Sequence, residues 1–235
     1  MLRLNFDGKL PRGDILQKAH ALAMKHGQTI PAEGNIIIQS ENLFALSLLL
    51  RDYSGKIDLI YADPPFNTMQ DFYISDNRAN SVSATKSRKA YADKMPLEKY
   101  LAFIRERLIV IHELLSERGS LYLHIDCKVG HYMKIILDEI FGAGNFLNDI
   151  ARIKSNPKNF HRKAWGNQRD MILFYAKNSG LNIWNDITFP LNDSEISRLF
   201  PKIDADGRRY TTIPPPQSGS PRPASSAYIH YRSAA

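Results

Sequence analysis

The chain lacks most of the features that mark secreted and membrane proteins. It has one cysteine, Cys127, in 235 residues, which excludes a framework of disulfides within the chain. No apolar run approaches the length that crosses a bilayer, and the N-terminal residues do not follow the pattern of a secretory signal peptide. Internal repeats are absent as well. We therefore expect a globular protein of a reducing compartment, the cytoplasm.

Composition and charge narrow this class further. The hydrophobic fraction is 43%, which is enough for one α/β domain with a sizeable core. The 31 lysines and arginines outnumber the 24 acidic residues and give a net charge of +7. An excess of positive charge favours a polyanionic partner such as nucleic acid, although many basic proteins bind none.

Alternating hydrophobic patterns predict an α/β fold. Apolar residues at helical spacing alternate with short apolar runs, and this order is typical of a mostly parallel sheet covered by helices. Residues 67–95 are polar without periodicity and predict a long loop over the active face. The predicted helices cover residues 14–26, a segment after Ser40, a segment from Pro96 to Gly119, and residues 131–141. The predicted strands cover residues 35–38, 56–62, 120–125, 148–154 and 169–176, the last two as an antiparallel pair.

The most informative motif follows the second predicted strand. Residues 56–62 lead into Asp63, Pro64, Pro65 and Phe66, and ligands bind at the carboxyl ends of strands in open α/β sheets. The prolines stiffen the backbone and remove two N–H donors, so the loop offers a carboxylate, accepting carbonyls and an aromatic face. This set suits a planar ring that bears an exocyclic amine. The alternative reading of the same residues is a proline-bounded turn after a buried strand.

The motif resembles the catalytic motif of amino-group DNA methyltransferases, most of which methylate adenine at N6. The longer string YADPPFNT, Tyr61 to Thr68, is similar to the methyltransferase subunits of type III restriction-modification systems and their solitary relatives. The resemblance implies a Rossmann-like sheet, S-adenosylmethionine as cofactor and site-specific methylation of double-stranded DNA. Cytosine-N4 methylation is the alternative chemistry, although those enzymes more often carry Ser where Asp63 stands. An RNA target is disfavoured, because many RNA and protein amide methyltransferases begin this motif with Asn.

The resemblance also implies roles for individual residues. Asp63 and the Pro64 carbonyl would hold the target amine, Phe66 would stack on the base, and Pro65 belongs to the same catalytic loop. The base must leave the duplex to reach them. Asp63 and Glu41 are also the residues expected at the cofactor; for Glu41, an exposed acid favoured by a helix N-terminus is an equally weighted alternative.

A basic segment with interleaved aromatic residues, 151–170, predicts contact with DNA. Cations for phosphates and rings for stacking are the groups that such an interface uses, and a solvated hairpin tip is the alternative. The expected DNA-binding residues are Lys154, Lys158, Arg162, Lys163 and Trp165. His124, Cys127 and His131 have a spacing that could suggest a metal site. We predict none, because His124 lies on a predicted strand, His131 lies at a helix start and the chain has no further cysteine.

We predict four regions: an N-terminal helical extension (1–33), the N-terminal part of a catalytic domain (34–180), the start of a target-recognition region (181–213) and a disordered tail (214–235). The family's glycine-rich cofactor loop and adjoining strands are absent, so the resemblance implies an incomplete sheet, and we hypothesise a truncation by a frameshift near residue 214. We expect poor cofactor binding by the chain alone. An inactive DNA-binding remnant, or a subunit needing a restriction subunit or second chain, is therefore the alternative to an active enzyme.

Overall fold

The structure is a computed structural model. It describes residues 2–25, 30, 34–67, 70–74, 88–93, 95–154, 163, 166–186, 190–212 and 228–230. The polypeptide divides into two compact units, Met1–Ile183 and Trp184–Ala235. Within the described ranges, no helix is both long and apolar enough to span a membrane.

The first unit combines helices with a mixed sheet. Its helices are α1 (Arg12–Lys25), α2 (Asn42–Tyr53), α3 (Leu97–Leu114) and α4 (Cys127–Phe141), and a 3-10 turn follows at Ala143–Asn145. Its strands are β1 (Ile57–Ala62), β2 (Gln70–Ile74), β3 (Arg88–Asp93), β4 (Leu115–Ile125), β5 (Phe146–Ile153) and β6 (Arg169–Ala176). The α/β class predicted from the alternating patterns is confirmed.

The main sheet has the strand order β1-β4-β6-β5. β1 and β4 run parallel, with Tyr61 opposite Tyr122, whereas β6 runs antiparallel to both β4 and β5. The predicted antiparallel pair at the end of the catalytic region is thus present. Among the described strands the sheet is mixed, because β6 runs antiparallel to both of its neighbours.

One face of the sheet packs against α3 and α4. Alternate residues of β4 point to this face, and their partners in β6 lie beside them. The buried core between the layers includes Ile104, Leu108 and Ile111 of α3, Leu121, Leu123 and Ile125 of β4, Met133 and Ile136 of α4, and Leu173 of β6. A second cluster joins α1, α2 and α3 through Ala19, Leu43 and Val110. The core fixes the carboxyl ends of β1 and β4 relative to the helices.

The predicted strand at residues 35–38 is wrong. These residues have no strand pairing, and the side chain of Ile37 is 96% exposed. A β-branched run becomes a strand only where another strand can pair with it, and among the described residues β1 pairs with β4 alone. One edge of β1 therefore has no partner among the described strands, and Leu59 and Tyr61, which lie on the same face of β1, are exposed.

The predicted loop at residues 67–95 contains a hairpin. β2 and β3 pair antiparallel, with Phe72 opposite Tyr91, and form a separate two-stranded sheet. Both strands are short and rich in polar residues, so they do not produce the apolar alternation by which a half-buried strand is recognised in a sequence.

The second unit is small. It contains α5 (Asp193–Leu199) and a sheet of β7 (Lys202–Ile203), β8 (Arg209–Thr212) and β9 (Tyr228–His230) in that order. Asn192 and Glu195 form a capping box at the start of α5. β9 lies within the segment for which the sequence predicts disorder, and it pairs antiparallel with β8.

Candidate active site

The motif loop leaves β1 at the carboxyl end of the sheet, and its far end is tied down by Asn67. The Asn67 amide donates to the Met95 carbonyl, and the Met95 N–H donates back to Asn67 Oδ1, each over 2.9 Å. Asn67 has a φ of 55°, a conformation that Asn adopts more readily than most residues. Through these contacts Asn67 shapes the end of the loop.

The middle of the loop is held by Tyr100. This side chain of α3 is buried, and its hydroxyl donates to the Pro65 carbonyl over 2.7 Å. The Pro65 carbonyl is therefore engaged by the protein, whereas Pro64 and Asp63 line a cavity. No signal in the sequence marks Tyr100, because its position continues the apolar face of α3.

His124 lies directly behind the motif. This β4 residue has a side chain only 8% exposed, and its Nδ1 atom lies 3.0 Å from Oδ1 of Asp63, whose side chain is 54% exposed. The ring of Phe66 meets the imidazole edge to face, with 5.1 Å between ring centroids and 81° between planes. A single buried histidine thus touches both the carboxylate and the aromatic ring of the predicted catalytic loop.

A second carboxylate stands on the other side of His124. Asp170, in β6, has a side chain 3% exposed, and its Oδ2 lies 3.5 Å from Nε2 of His124. Two cations compensate this buried charge: Lys154 Nζ lies 2.5 Å from Oδ1, and Arg152 Nη1 lies 3.3 Å from Oδ2. His124 and Asp170 were not predicted as site residues; the available signal was a polar residue at a buried position of an apolar strand.

A cavity of about 360 Å³ opens beside Asp63 and Pro64. Its walls are apolar residues of α2, α3 and the ends of β1 and β4, and its polar groups come from Ser40, Asn42 and Arg107. Its volume falls in the range of small-molecule sites, about 300–1,000 Å³. An apolar slot with a few polar groups and one carboxylate fits a nucleoside-like cofactor.

The predicted cofactor residue Glu41 caps α2 beside this cavity. Its Oε2 accepts from the Phe44 N–H over 3.0 Å, and its Oε1 lies 2.5 Å from Arg107 Nη2. Burial opposes ionisation of Glu41, but hydrogen bonds from the Phe44 and Leu43 N–H groups and from Arg107 outweigh it, so the pKa of Glu41 is lowered. Glu41 therefore holds Arg107 against the start of α2, and Arg107 lines the cavity.

The predicted DNA-binding residues lie in and beside the segment that joins β5 to β6. Lys154 forms the ion pair with Asp170, and Lys163 is exposed. Lys158, Arg162 and Trp165 lie outside the described residues. The described part of the chain contains no cluster of three or more His, Cys, Asp or Glu side chains suited to a metal ion.

The fold and this loop define a class: an α/β protein in which the Asp and the first Pro of an Asp-Pro-Pro-Phe loop line a nucleoside-sized cavity, as in methyltransferases that act on ring amines. A family model described as DNA methylase, N6_N4_Mtase, matches residues 57–219. The chain belongs to this DNA methylase family.

Individual relatives are a type II methyltransferase and Mod subunits of type III restriction-modification enzymes. The chain is 33% identical over 210 residues to the type II methyltransferase M.EcaI of Enterobacter cloacae, covering 87% of this chain and 44% of the relative. It is 28% identical over 216 residues to the probable type III restriction-modification enzyme HindVI Mod subunit of Haemophilus influenzae, covering 90% of this chain and 25% of the relative. It is 29% identical over 187 residues to the type III restriction-modification enzyme EcoPI Mod subunit of Escherichia phage P1, covering 70% of this chain and 27% of the relative. The chain thus spans less than half the length of these relatives.

Proposed function

We propose that the chain carries the catalytic loop of a methyltransferase that acts on the N6 amine of adenine in double-stranded DNA, with S-adenosylmethionine as methyl donor. The observation that carries this proposal is the position of Asp63 and Pro64, which line one cavity at the carboxyl end of β1. The Asp in the motif, where cytosine-N4 enzymes more often carry Ser, favours adenine.

The loop performs two tasks in this reaction. An aromatic amine is a weak nucleophile because its lone pair is delocalised into the ring. Asp63 accepts one amine N–H and the Pro64 carbonyl accepts the other, which localises the lone pair on the side away from these acceptors. Phe66 stacks on the base and fixes its plane. Positioning and electrostatics thus supply the catalysis, without a covalent bond between enzyme and base.

The cavity beside Asp63 is the proposed cofactor site. S-adenosylmethionine, when bound, supplies an electrophilic methyl group. The apolar side chains of α2 and α3 would enclose its adenine, while Ser40, Asn42 and Arg107 supply polar contacts. Glu41 acts there through Arg107, which it pairs with, in addition to its predicted contact with the cofactor.

Double-stranded DNA is the proposed partner. The target adenine must be extruded from the duplex, at a cost of a few kcal/mol, and the basic segment that follows β5 would contact phosphates on the way. The relatives named Mod subunits belong to type III restriction-modification enzymes, so a restriction subunit is a further proposed partner.

There are two alternatives to this proposal. Cytosine-N4 methylation uses the same acceptor geometry on another ring. A DNA-binding remnant, or a subunit completed by a second chain, is favoured by the open edge of β1 in the described sheet.

Nucleoside analysis by mass spectrometry separates these functions. We expect DNA incubated with the protein and millimolar S-adenosylmethionine to gain N6-methyladenine, and Asp63→Ala to lower the rate at least about 100-fold. N4-methylcytosine would instead assign the cytosine reaction. DNA binding without any methylated nucleoside would favour the remnant.

A further inference from the structure

His124 is a buried polar residue that the proposed reaction leaves without a task. Its two ring nitrogens are enclosed, and neither has a well-aligned hydrogen bond in this structure, although each faces a carboxylate. A buried imidazole without hydrogen bonds costs free energy, so its retention in an otherwise apolar strand requires a compensating interaction.

The two carboxylates are not equivalent acceptors. Asp170 is already compensated by Lys154 at 2.5 Å and Arg152 at 3.3 Å, and its Oδ2 is 3.5 Å from Nε2, near the limit for a hydrogen bond. Oδ1 of Asp63 is closer, at 3.0 Å from Nδ1. The Nδ1–H bond does not point at Oδ1 in this structure, so the side chains must turn to form the hydrogen bond; catalytic hydrogen bonds are often poorly aligned before a substrate binds.

A hydrogen-bond donor on Oδ1 of Asp63 also fixes the direction of Oδ2. A carboxylate free to rotate presents either oxygen to solvent, whereas a carboxylate held through Oδ1 directs Oδ2 outward. The Phe66 ring, edge to face with the same imidazole, is fixed relative to that oxygen. One ring therefore sets both the acceptor for the amine and the surface on which the base stacks.

We propose that His124 is a positioning residue, which donates Nδ1–H to Oδ1 of Asp63 and so presents Oδ2 to the target amine, with Asp170 supporting the opposite edge of the ring. The inference rests on the proposed function for its catalytic consequence. Its geometric part does not, because the contact exists without cofactor or DNA.

Nuclear magnetic resonance of the protein with isotope-labelled histidine tests the geometric part, with His112 as an internal reference. Nδ1 of His112 lies 2.8 Å from Arg12 Nη2 and 3.4 Å from Glu113 Oε1. The closer partner, arginine, can only donate, which makes this nitrogen an acceptor. We expect a protonated Nδ1 at His124 and an unprotonated Nδ1 at His112. The His124 Nδ1–H signal should shift or exchange faster in Asp63→Ala. A bare Nδ1 at His124, or a signal that Asp63→Ala leaves unchanged, would overturn the proposal.

Two substitutions of His124 separate its nitrogens in the methylation assay. The side-chain amide of His124→Asn reaches the place of Nδ1, whereas that of His124→Gln reaches the place of Nε2. We expect His124→Asn to retain most of the wild-type kcat. His124→Gln should lower kcat about 10- to 100-fold with little change in KM for DNA, because the acceptor is misplaced after binding.

The matched control is His131→Asn, since His131 is an exposed histidine of α4 and should leave kcat unchanged. Equal kcat for His124→Asn and His124→Gln would overturn the positioning role. If the wild-type protein forms no methylated nucleoside, the proposed function fails, while the magnetic resonance result still decides whether His124 holds Asp63.

Discussion

At the scale of single residues, the motif loop is held in place by side chains distant in sequence. Asn67 binds Met95, Tyr100 binds the Pro65 carbonyl and His124 faces Asp63. The loop therefore meets its substrate in a fixed shape, and losing one of these contacts should alter the chemistry before it unfolds the protein.

The Tyr100 hydroxyl provides a first prediction. Tyr100→Phe removes the 2.7 Å bond to Pro65 and leaves a part-buried carbonyl without this donor. We expect a loss of about 1 kcal/mol in the free energy of unfolding, measured by urea denaturation, together with a lower kcat. Tyr132→Phe, at an exposed tyrosine, is the control; equal losses in the two variants would contradict this role.

His112 predicts a dependence of stability on pH. Burial, and then the charges of Lys177 and Arg12, lower the pKa of His112 from 6.5 to about 4. Between these pH values the unfolded chain binds a proton that the folded chain does not. The free energy of unfolding is therefore highest above pH 6.5 and decreases as the pH falls toward 4. At 1.36 kcal/mol per pKa unit, the loss is about 3 kcal/mol.

Denaturant unfolding at a series of pH values measures this loss. In His112→Gln, which cannot titrate there, the slope of stability against pH between 6.5 and 4 should decrease. An unchanged slope would show that groups other than His112 cause the dependence of stability on pH.

At the scale of elements, β4 passes close to β1 at Gly119. A Cβ atom built on Gly119 would lie 2.7 Å from the Ile57 carbonyl oxygen, where the register between the strands shifts. We expect Gly119→Ala to lower the free energy of unfolding by about 1–3 kcal/mol, because a backbone atom must move.

The control is Gly13→Ala in α1, where nothing lies within 4 Å of the added atom. It should be neutral or stabilising by about 0.4–1 kcal/mol. Thermal unfolding of both variants measures the difference, and tolerance of alanine at position 119 would mean that the strands are not packed as described.

The elements also show what the sequence could and could not predict. Periodicity located α1 and α3 to within a few residues, and β5 and β6 as a pair, because these elements bury one regular face. It placed the end of α3 at Gly119, whereas the helix ends at Leu114 and β4 begins at Leu115; Leu115 continues the helical spacing of Ile111 and no Gly or Pro stands between Pro96 and Gly119, so nothing in the sequence marks the change. The start of α4 was placed at 131, although Asp126 caps it over 2.6 Å.

Only part of the site could be predicted from the sequence. Asp63 and its neighbours are contiguous, so the chemistry of the loop was visible in the sequence. His124, Asp170 and Tyr100 reach the loop only through strand pairing and helix packing, which a linear pattern does not contain.

At the scale of the whole molecule, the described sheet leaves one edge of β1 without a partner strand, beside the cofactor cavity. An open edge with exposed Leu59 and Tyr61 invites pairing with another segment. We expect calorimetric titration of the folded chain with S-adenosylmethionine to give binding weaker than micromolar. Micromolar binding would mean that another segment or a second copy completes the cavity.

Methyl transfer by the Asp63 loop is the central claim, and nucleoside mass spectrometry of treated DNA tests it most directly. With the folded protein, DNA and millimolar S-adenosylmethionine, we predict N6-methyladenine in the wild type and its loss in Asp63→Ala. Methylation that persists in Asp63→Ala, N4-methylcytosine as the product, or no methylated nucleoside from a folded protein that binds DNA would contradict the claim.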